Sequence, residues 1–173
     1  MKVLVVVDMQ HDFVDGALGS EAAKAIVPNV KAKIEAYEAE KSPVIFTRDT
    51  HQKNYLSTQE GRNLPVPHCI EGTDGWQILT ELHSSRHAKV DKVTVGSSEL
   101  PQVLEQTYGG ECIDSIELVG LCTDICIISN AMVLKAFFPE VPIIVDSSCC
   151  AGVTEQSHKN ALEAMKVCQI QIF

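Results

Sequence analysis

The chain has 173 residues, 45% hydrophobic and 21% charged, with a formal net charge of -9. That length supports one substantial core, so a single domain over 1–173 is expected, and the composition is globular rather than disordered or fibrous. Negative charge without a Lys/Arg cluster excludes a phosphate-binding surface, so no nucleic-acid partner is expected.

In chain order, the first signal is an apolar, β-branched run at 3–7, uninterrupted rather than alternating, as in a strand covered on both faces. Val30, Ile34, Tyr37 and Ala39 follow at helical spacing. A second apolar run occupies 44–47. Residues 49–87 then show no sustained period, contain Pro65, Pro67 and the lone Trp76, and exceed the usual length of a connection, which points to a functional insertion. A weaker strand is expected at 88–93 and a strong one at 116–119. Ile127, Ala131, Leu134 and Phe137 mark a helix, 143–145 a strand, Ala161, Ala164 and Met165 another helix, and 169–173 a last weak strand. This alternation of strand and helix predicts an α/β fold, a parallel sheet with helices on both faces. The runs at 3–7 and 141–145 are too short to span a bilayer and nothing resembles a signal peptide. A cytoplasmic location without membrane association is therefore expected, and a homo-oligomer stays open.

In open α/β sheets, ligands bind beyond the carboxyl ends of the strands. Asp8 follows the first run, Asp49 and His51 the second, and the turn 120–126 the fourth. Cys126 would sit where a strand turns into a helix, so the helix N-terminus could favour its thiolate. Asp8 could accept the thiol proton and later deliver it to a leaving amine, with Lys92 holding the thiolate. Taken singly these residues have plainer readings: a buried small hydrophobe, a turn former, a solvated lysine. Seven cysteines, an odd number without a CxxC pair, argue against a disulfide framework, a thioredoxin-like motif or a paired-thiolate zinc site.

Asp49-x-His51 can point a carboxylate and an imidazole to one side of an extended segment. Glu60 and His68 lie further along the same insertion. Two carboxylates with two imidazoles suit zinc, manganese or iron.

The segments also resemble a known family. Asp8-Met9-Gln10-His11-Asp12-Phe13 is similar to the opening DxQxDF motif of the isochorismatase-like cysteine hydrolases, which include the nicotinamidases. Gly120-Leu121-Cys122-Thr123-Asp124-Ile125-Cys126 resembles their nucleophile turn, and Lys92 falls where the family places its lysine. The resemblance implies a three-layer doubly wound fold with a six-stranded, mostly parallel sheet. It implies a triad of Asp8, Lys92 and Cys126. It also implies a cis Leu121–Cys122 peptide that aims the N–H groups of Cys122 and Cys126 into an oxyanion hole. Position 122 is usually a small residue such as Ala in that family and is Cys here.

Within the family, Asp49, His51, Glu60 and His68 resemble the metal set of nicotinamidases, where one divalent ion contacts the pyridine nitrogen, and Phe13 matches one member of their ring-stacking pair. The Trp often found just before the metal His is absent, with Leu64, Pro65 and Val66 in that neighbourhood. The resulting expectation is hydrolysis of a small-molecule amide, nicotinamide, through a thioester, with zinc the first choice of metal and NAD salvage the implied setting. The alternatives are another small amide, a carbamoyl compound or isochorismate, or a thiol redox sensor that uses Cys122, Cys149 and Cys150 without catalysis.

Overall fold

A computed structural model describes residues 1–109 and 112–173. Six strands form one sheet in the order β3-β2-β1-β4-β5-β6, every pairing parallel. They are β1 (Lys2–Val7), β2 (Val44–Asp49), β3 (Ala88–Lys92), β4 (Ser115–Leu121), β5 (Ile143–Ala151) and β6 (Gln171–Ile172). The helices are α1 (His11–Val14), α2 (Glu21–Ala39), α3 (Gln59–Asn63), α4 (Leu100–Tyr108), α5 (Ile128–Phe137) and α6 (Glu155–Val167).

The unbroken apolarity of β1 has its reason in two cores. Val3, Val5 and Val7 pack with Leu104 of α4, Leu134 of α5 and Met165 of α6 on one face. Leu4 and Val6 pack with Val27, Val30 and Ile34 of α2 on the other. Two helical layers therefore enclose the sheet, the doubly wound arrangement expected. Ser20 caps α2 by accepting the N–H of Ala23 at 3.0 Å, and Thr154 with Ser157 closes a capping box on α6. No helix among the described residues is long and apolar enough to cross a membrane.

Strand order turns between β1 and β4, which leave the switch point in opposite directions, and the carboxyl edge there is where α/β sheets bind ligands. At that edge Gly120 has φ +120, and a Cβ on it would lie 2.2 Å from the carbonyl oxygen of Val7. Only glycine lets β4 pass so close to β1. The insertion at 49–87 is less irregular than its sequence implies: short helical turns at Tyr55–Ser57, Thr80–Leu82 and Ser84–Arg86 accompany α3. An isolated bridge His51↔Ile70 folds it back on its own start, and Gln10↔Ile78 ties it to the segment after β1.

Candidate active site

Asp8, Lys92 and Cys126, from three different strand ends, meet beneath the carboxyl edge. Lys92 Nζ lies 2.7 Å from Asp8 Oδ2, 3.2 Å from Asp49 Oδ1 and 3.5 Å from Cys126 Sγ. It also donates to the carbonyl of Thr94 at 3.0 Å. Asp8 Oδ1 accepts the Thr47 hydroxyl at 2.6 Å. The Asp8 carboxylate is fully buried, with Oδ2 turned to the ammonium of Lys92.

Two carboxylates flank Lys92, and their surroundings push them apart. Burial opposes ionisation of Asp49, but hydrogen bonds from His51 and His68, with the charge of Lys92, hold it below the usual carboxylate range. Burial raises Asp8, Lys92 offsets this in part, and the charge of Asp49 raises it again. Lys92 is held cationic against its burial by Asp8 and Asp49. Asp49 is thus suited to a fixed anionic role and Asp8 to carrying a proton, a division of labour that environment alone sets.

Cys126 differs from expectation in one respect. A π-helical turn, Thr123–Ile127, separates β4 from α5, so Cys126 sits inside this turn rather than at the bare start of an α-helix. Burial pushes its thiol well above the ordinary cysteine value, Asp8 pushes it further, and Lys92 offsets only part. Desolvation outweighs the dipole argument and favours the protonated sulfur.

Asp49, His51, Glu60 and His68 converge, each offering one ligand atom within 4.8 Å of the others. His51 Nε2 is 2.8 Å from Asp49 Oδ2, and His68 Nε2 is 3.4 Å from the same oxygen. Glu60 Oε1 lies 3.5 Å from His51 Nε2 and 3.8 Å from His68 Nε2. The Nδ1–H of His68 donates to the carbonyl of Val66 at 2.8 Å, which turns Nε2 toward the cluster. Two imidazoles and two carboxylates, nearly preassembled, fit a divalent transition ion.

The opening motif contains two further residues to which the sequence reading gave no role. Gln10 is fully buried and grips the backbone of Asp49 twice: Oε1 accepts its N–H at 2.7 Å and Nε2 donates to its carbonyl at 2.8 Å. The same Nε2 reaches the carbonyl of Trp76 at 2.8 Å. Asp12 Oδ2 accepts the N–H of Cys69 at 2.7 Å, next to His68, and Gly75 leaves the room, since a Cβ there would fall 2.2 Å from that carboxylate. Alternate positions of one short motif therefore point at the chemistry (Asp8), at the backbone of the candidate ligand Asp49 (Gln10) and at the residue after the candidate ligand His68 (Asp12). Their place in the motif is the signal that could have identified them.

A cavity of about 620 Å³ opens above these groups. Phe13, Asp49, Glu60, His68, Cys122 and Cys126 all line it, and the Phe13 ring lies 5.4 Å from that of His68. The Leu121–Cys122 peptide is cis, as the resemblance implies. The nucleophile turn is tied to the segment after β5: Thr123 Oγ1 is 2.8 Å from His158 Nδ1, and Asp124 accepts the N–H of Val153. Tyr55 packs 4.7 Å from the ring of His51 and lies behind the cluster. Trp76 stacks against Arg48, with the guanidinium 3.8 Å from its centroid, and so takes no part in the cavity wall. Cys149 and Cys150 are buried in β5.

Comparison with known proteins agrees with this architecture. The isochorismatase domain model matches residues 2–172. The nicotinamidase/pyrazinamidase of Mycobacterium tuberculosis is 23% identical, with 99% of this chain and 98% of that protein covered. A zinc-complexed pyrazinamidase of Pyrococcus horikoshii superposes with a TM-score of 0.85 at 25% identity, covering 99% of this chain and 98% of the other. The N-carbamoylsarcosine amidase of Thermoplasma acidophilum does so with a TM-score of 0.81 at 25% identity, over 99% and 94%.

Proposed function

Because the chain belongs to the isochorismatase family and is an amide hydrolase of it, we propose that it converts nicotinamide to nicotinic acid and ammonia through a thioester on Cys126. The observation that carries this reading is the contact of Lys92 with Asp8, Asp49 and Cys126 together, which sets a nucleophile and a ring-anchoring cluster against one cavity.

As a carboxamide enters, Cys126 Sγ attacks its carbonyl carbon and the thiol proton passes to the carboxylate of Asp8. The developing oxyanion is met by the N–H groups of Cys122 and Cys126. Lys92 stays charged and offsets the negative charge gathering on sulfur and oxygen. Asp8 returns its proton to the amide nitrogen, the C–N bond breaks and ammonia leaves. A water then loses a proton to Asp8 and attacks the thioester, and the departing sulfur recovers that proton. Asp49, His51, Glu60 and His68 would hold the divalent ion, zinc before manganese or iron, which when bound supplies a Lewis-acidic anchor for the ring nitrogen. Phe13 would flank the ring.

The test is ammonia release from nicotinamide, pyrazinamide and aliphatic amides before and after chelation. Metal removal is expected to lower kcat/KM for the pyridine and pyrazine amides by about tenfold or more, largely through KM, with recovery on adding zinc. Turnover of aliphatic amides alone, indifferent to chelator, would move the substrate elsewhere in the family. Gln10→Leu, which strips both hydrogen bonds from the Asp49 backbone, is expected to weaken zinc binding about 10–100-fold. Competition with a chromophoric chelator measures this independently of turnover.

A further inference from the structure

Three of the four candidate metal ligands are held by the edge of the sheet and the segment bridged to it. Asp49 ends β2, and Gln10 grips its backbone. His51 pairs with the far end of the insertion: its N–H donates to the carbonyl of Cys69 at 2.9 Å, and its carbonyl accepts the N–H of Glu71 at 2.9 Å. His68 is turned by the carbonyl of Val66 and precedes Cys69, whose N–H is bound by Asp12. Glu60 stands apart. It is carried by α3, five residues long, and a helix that short does not hold its shape alone.

The residue that holds α3 is Tyr55. At the start of the helix, the Thr58 hydroxyl accepts the N–H of Gly61 at 3.0 Å and donates to the carbonyl of Tyr55 at 2.7 Å. At its end, Leu64 donates its N–H to the carbonyl of Glu60 at 2.7 Å, and the carbonyl of Leu64 accepts the Tyr55 hydroxyl at 2.8 Å. The middle of α3 is pressed on the same residue: a Cβ on Gly61 would lie 2.1 Å from the Tyr55 carbonyl oxygen. Tyr55 is itself fixed, 1% exposed, with its ring 4.7 Å from that of His51 and 5.1 Å from that of His68. Phenylalanine would fill the same space without burying a hydroxyl. The hydroxyl is therefore explained by what it holds, the end of the helix that delivers the fourth ligand.

We propose, resting on the metal-assisted amidohydrolase reading above, that Tyr55 is a positioning residue for the metal centre. Its hydroxyl, through the carbonyl of Leu64, sets α3 where Glu60 faces both imidazoles, 3.5 Å from His51 Nε2 and 3.8 Å from His68 Nε2. Loosening α3 withdraws the carboxylate of Glu60 and leaves Asp49, His51 and His68 in place.

The experiment measures zinc affinity of the full chain, by competition with a chromophoric chelator, for the parent, Tyr55→Phe, Glu60→Ala and the double variant. Tyr55→Phe keeps the ring against both imidazoles and removes only the hydroxyl. It is expected to weaken zinc binding about tenfold. In the Glu60→Ala background the same substitution is expected to cost less than about twofold, because the helix then has no ligand to place. Equal losses in both backgrounds would mark Tyr55 as general packing and overturn the proposal, as would parental affinity in a folded Tyr55→Phe. Gly61→Ala displaces α3 from Tyr55 at its other contact and leaves the hydroxyl in place, so it carries the same comparison if Tyr55→Phe does not fold. A loss that depends on Glu60 is again expected, and one that does not would overturn the proposal. Nicotinamide turnover is followed on the same parent protein. The expected zinc affinities with no ammonia from nicotinamide would uphold Tyr55 and remove the proposed substrate. Turnover by a parent that binds no zinc would overturn the role of Tyr55 and leave the amide chemistry standing.

Discussion

Cys126→Ala is expected to reduce ammonia release by about ten-thousandfold or more, because loss of the nucleophile leaves only positioning and the oxyanion donors. The fold should survive. The substitution removes one sulfur from a wall shared with the cavity, gives up its 3.5 Å contact to Lys92, and leaves Lys92 paired with Asp8 and Asp49. Unchanged far-UV circular dichroism and a Tm within a few degrees of the parent would separate lost chemistry from lost structure. Because the Cys126 thiol is raised by burial and by Asp8, modification by a thiol reagent in the resting enzyme should also be slow. The sulfur gains its reactivity as its proton leaves for Asp8, rather than by standing as a thiolate.

Asp8→Asn is expected to cost about 10²–10⁴-fold in kcat, the usual contribution of a positioned acid/base. The amide keeps the shape and can still accept from Thr47, as Oδ1 does now at 2.6 Å, but it can neither take the thiol proton nor return one to the leaving nitrogen. Lys92 loses its 2.7 Å counterion and keeps Asp49 at 3.2 Å. Breaking a buried pair outright costs about 3–5 kcal/mol, and the surviving carboxylate should hold the penalty below that. A variant with near-parental kcat would show that the proton travels by another route.

Much of the architecture was legible because burial on both faces writes itself into sequence: β1 reads as five consecutive aliphatics, Val3 to Val7, all at 0% exposure. Asp8, Lys92 and Cys126 fall at or after the ends of β1, β3 and β4, and Asp49-x-His51 at the end of β2, so all of them point to the carboxyl edge of the sheet. Other features depend on contacts distant in sequence. The helix α4 opens on Leu100-Pro101 and shows only a short apolar face, so its pattern is weak until Leu100 and Leu104 are seen in the core. The run at 143–145 continues to Ala151 because Gly120 and Leu121 pair with Cys150 and Ala151 beyond an irregularity in register. The grip of Gln10 on Asp49 joins residues 39 positions apart, and the upward shift of the Cys126 thiol is a consequence of packing that no local pattern encodes. The lone Trp76 of the insertion is likewise placed by a distant partner, the guanidinium of Arg48.

The most direct test of the central claim is mass spectrometry of enzyme quenched in acid during turnover of nicotinamide, followed by peptide mapping. The expected result is a nicotinoyl adduct on the peptide containing Cys126, labile to hydroxylamine, present during turnover and gone once substrate is exhausted. Full ammonia release with no adduct on Cys126, together with an active Cys126→Ala enzyme, would contradict covalent catalysis at this sulfur.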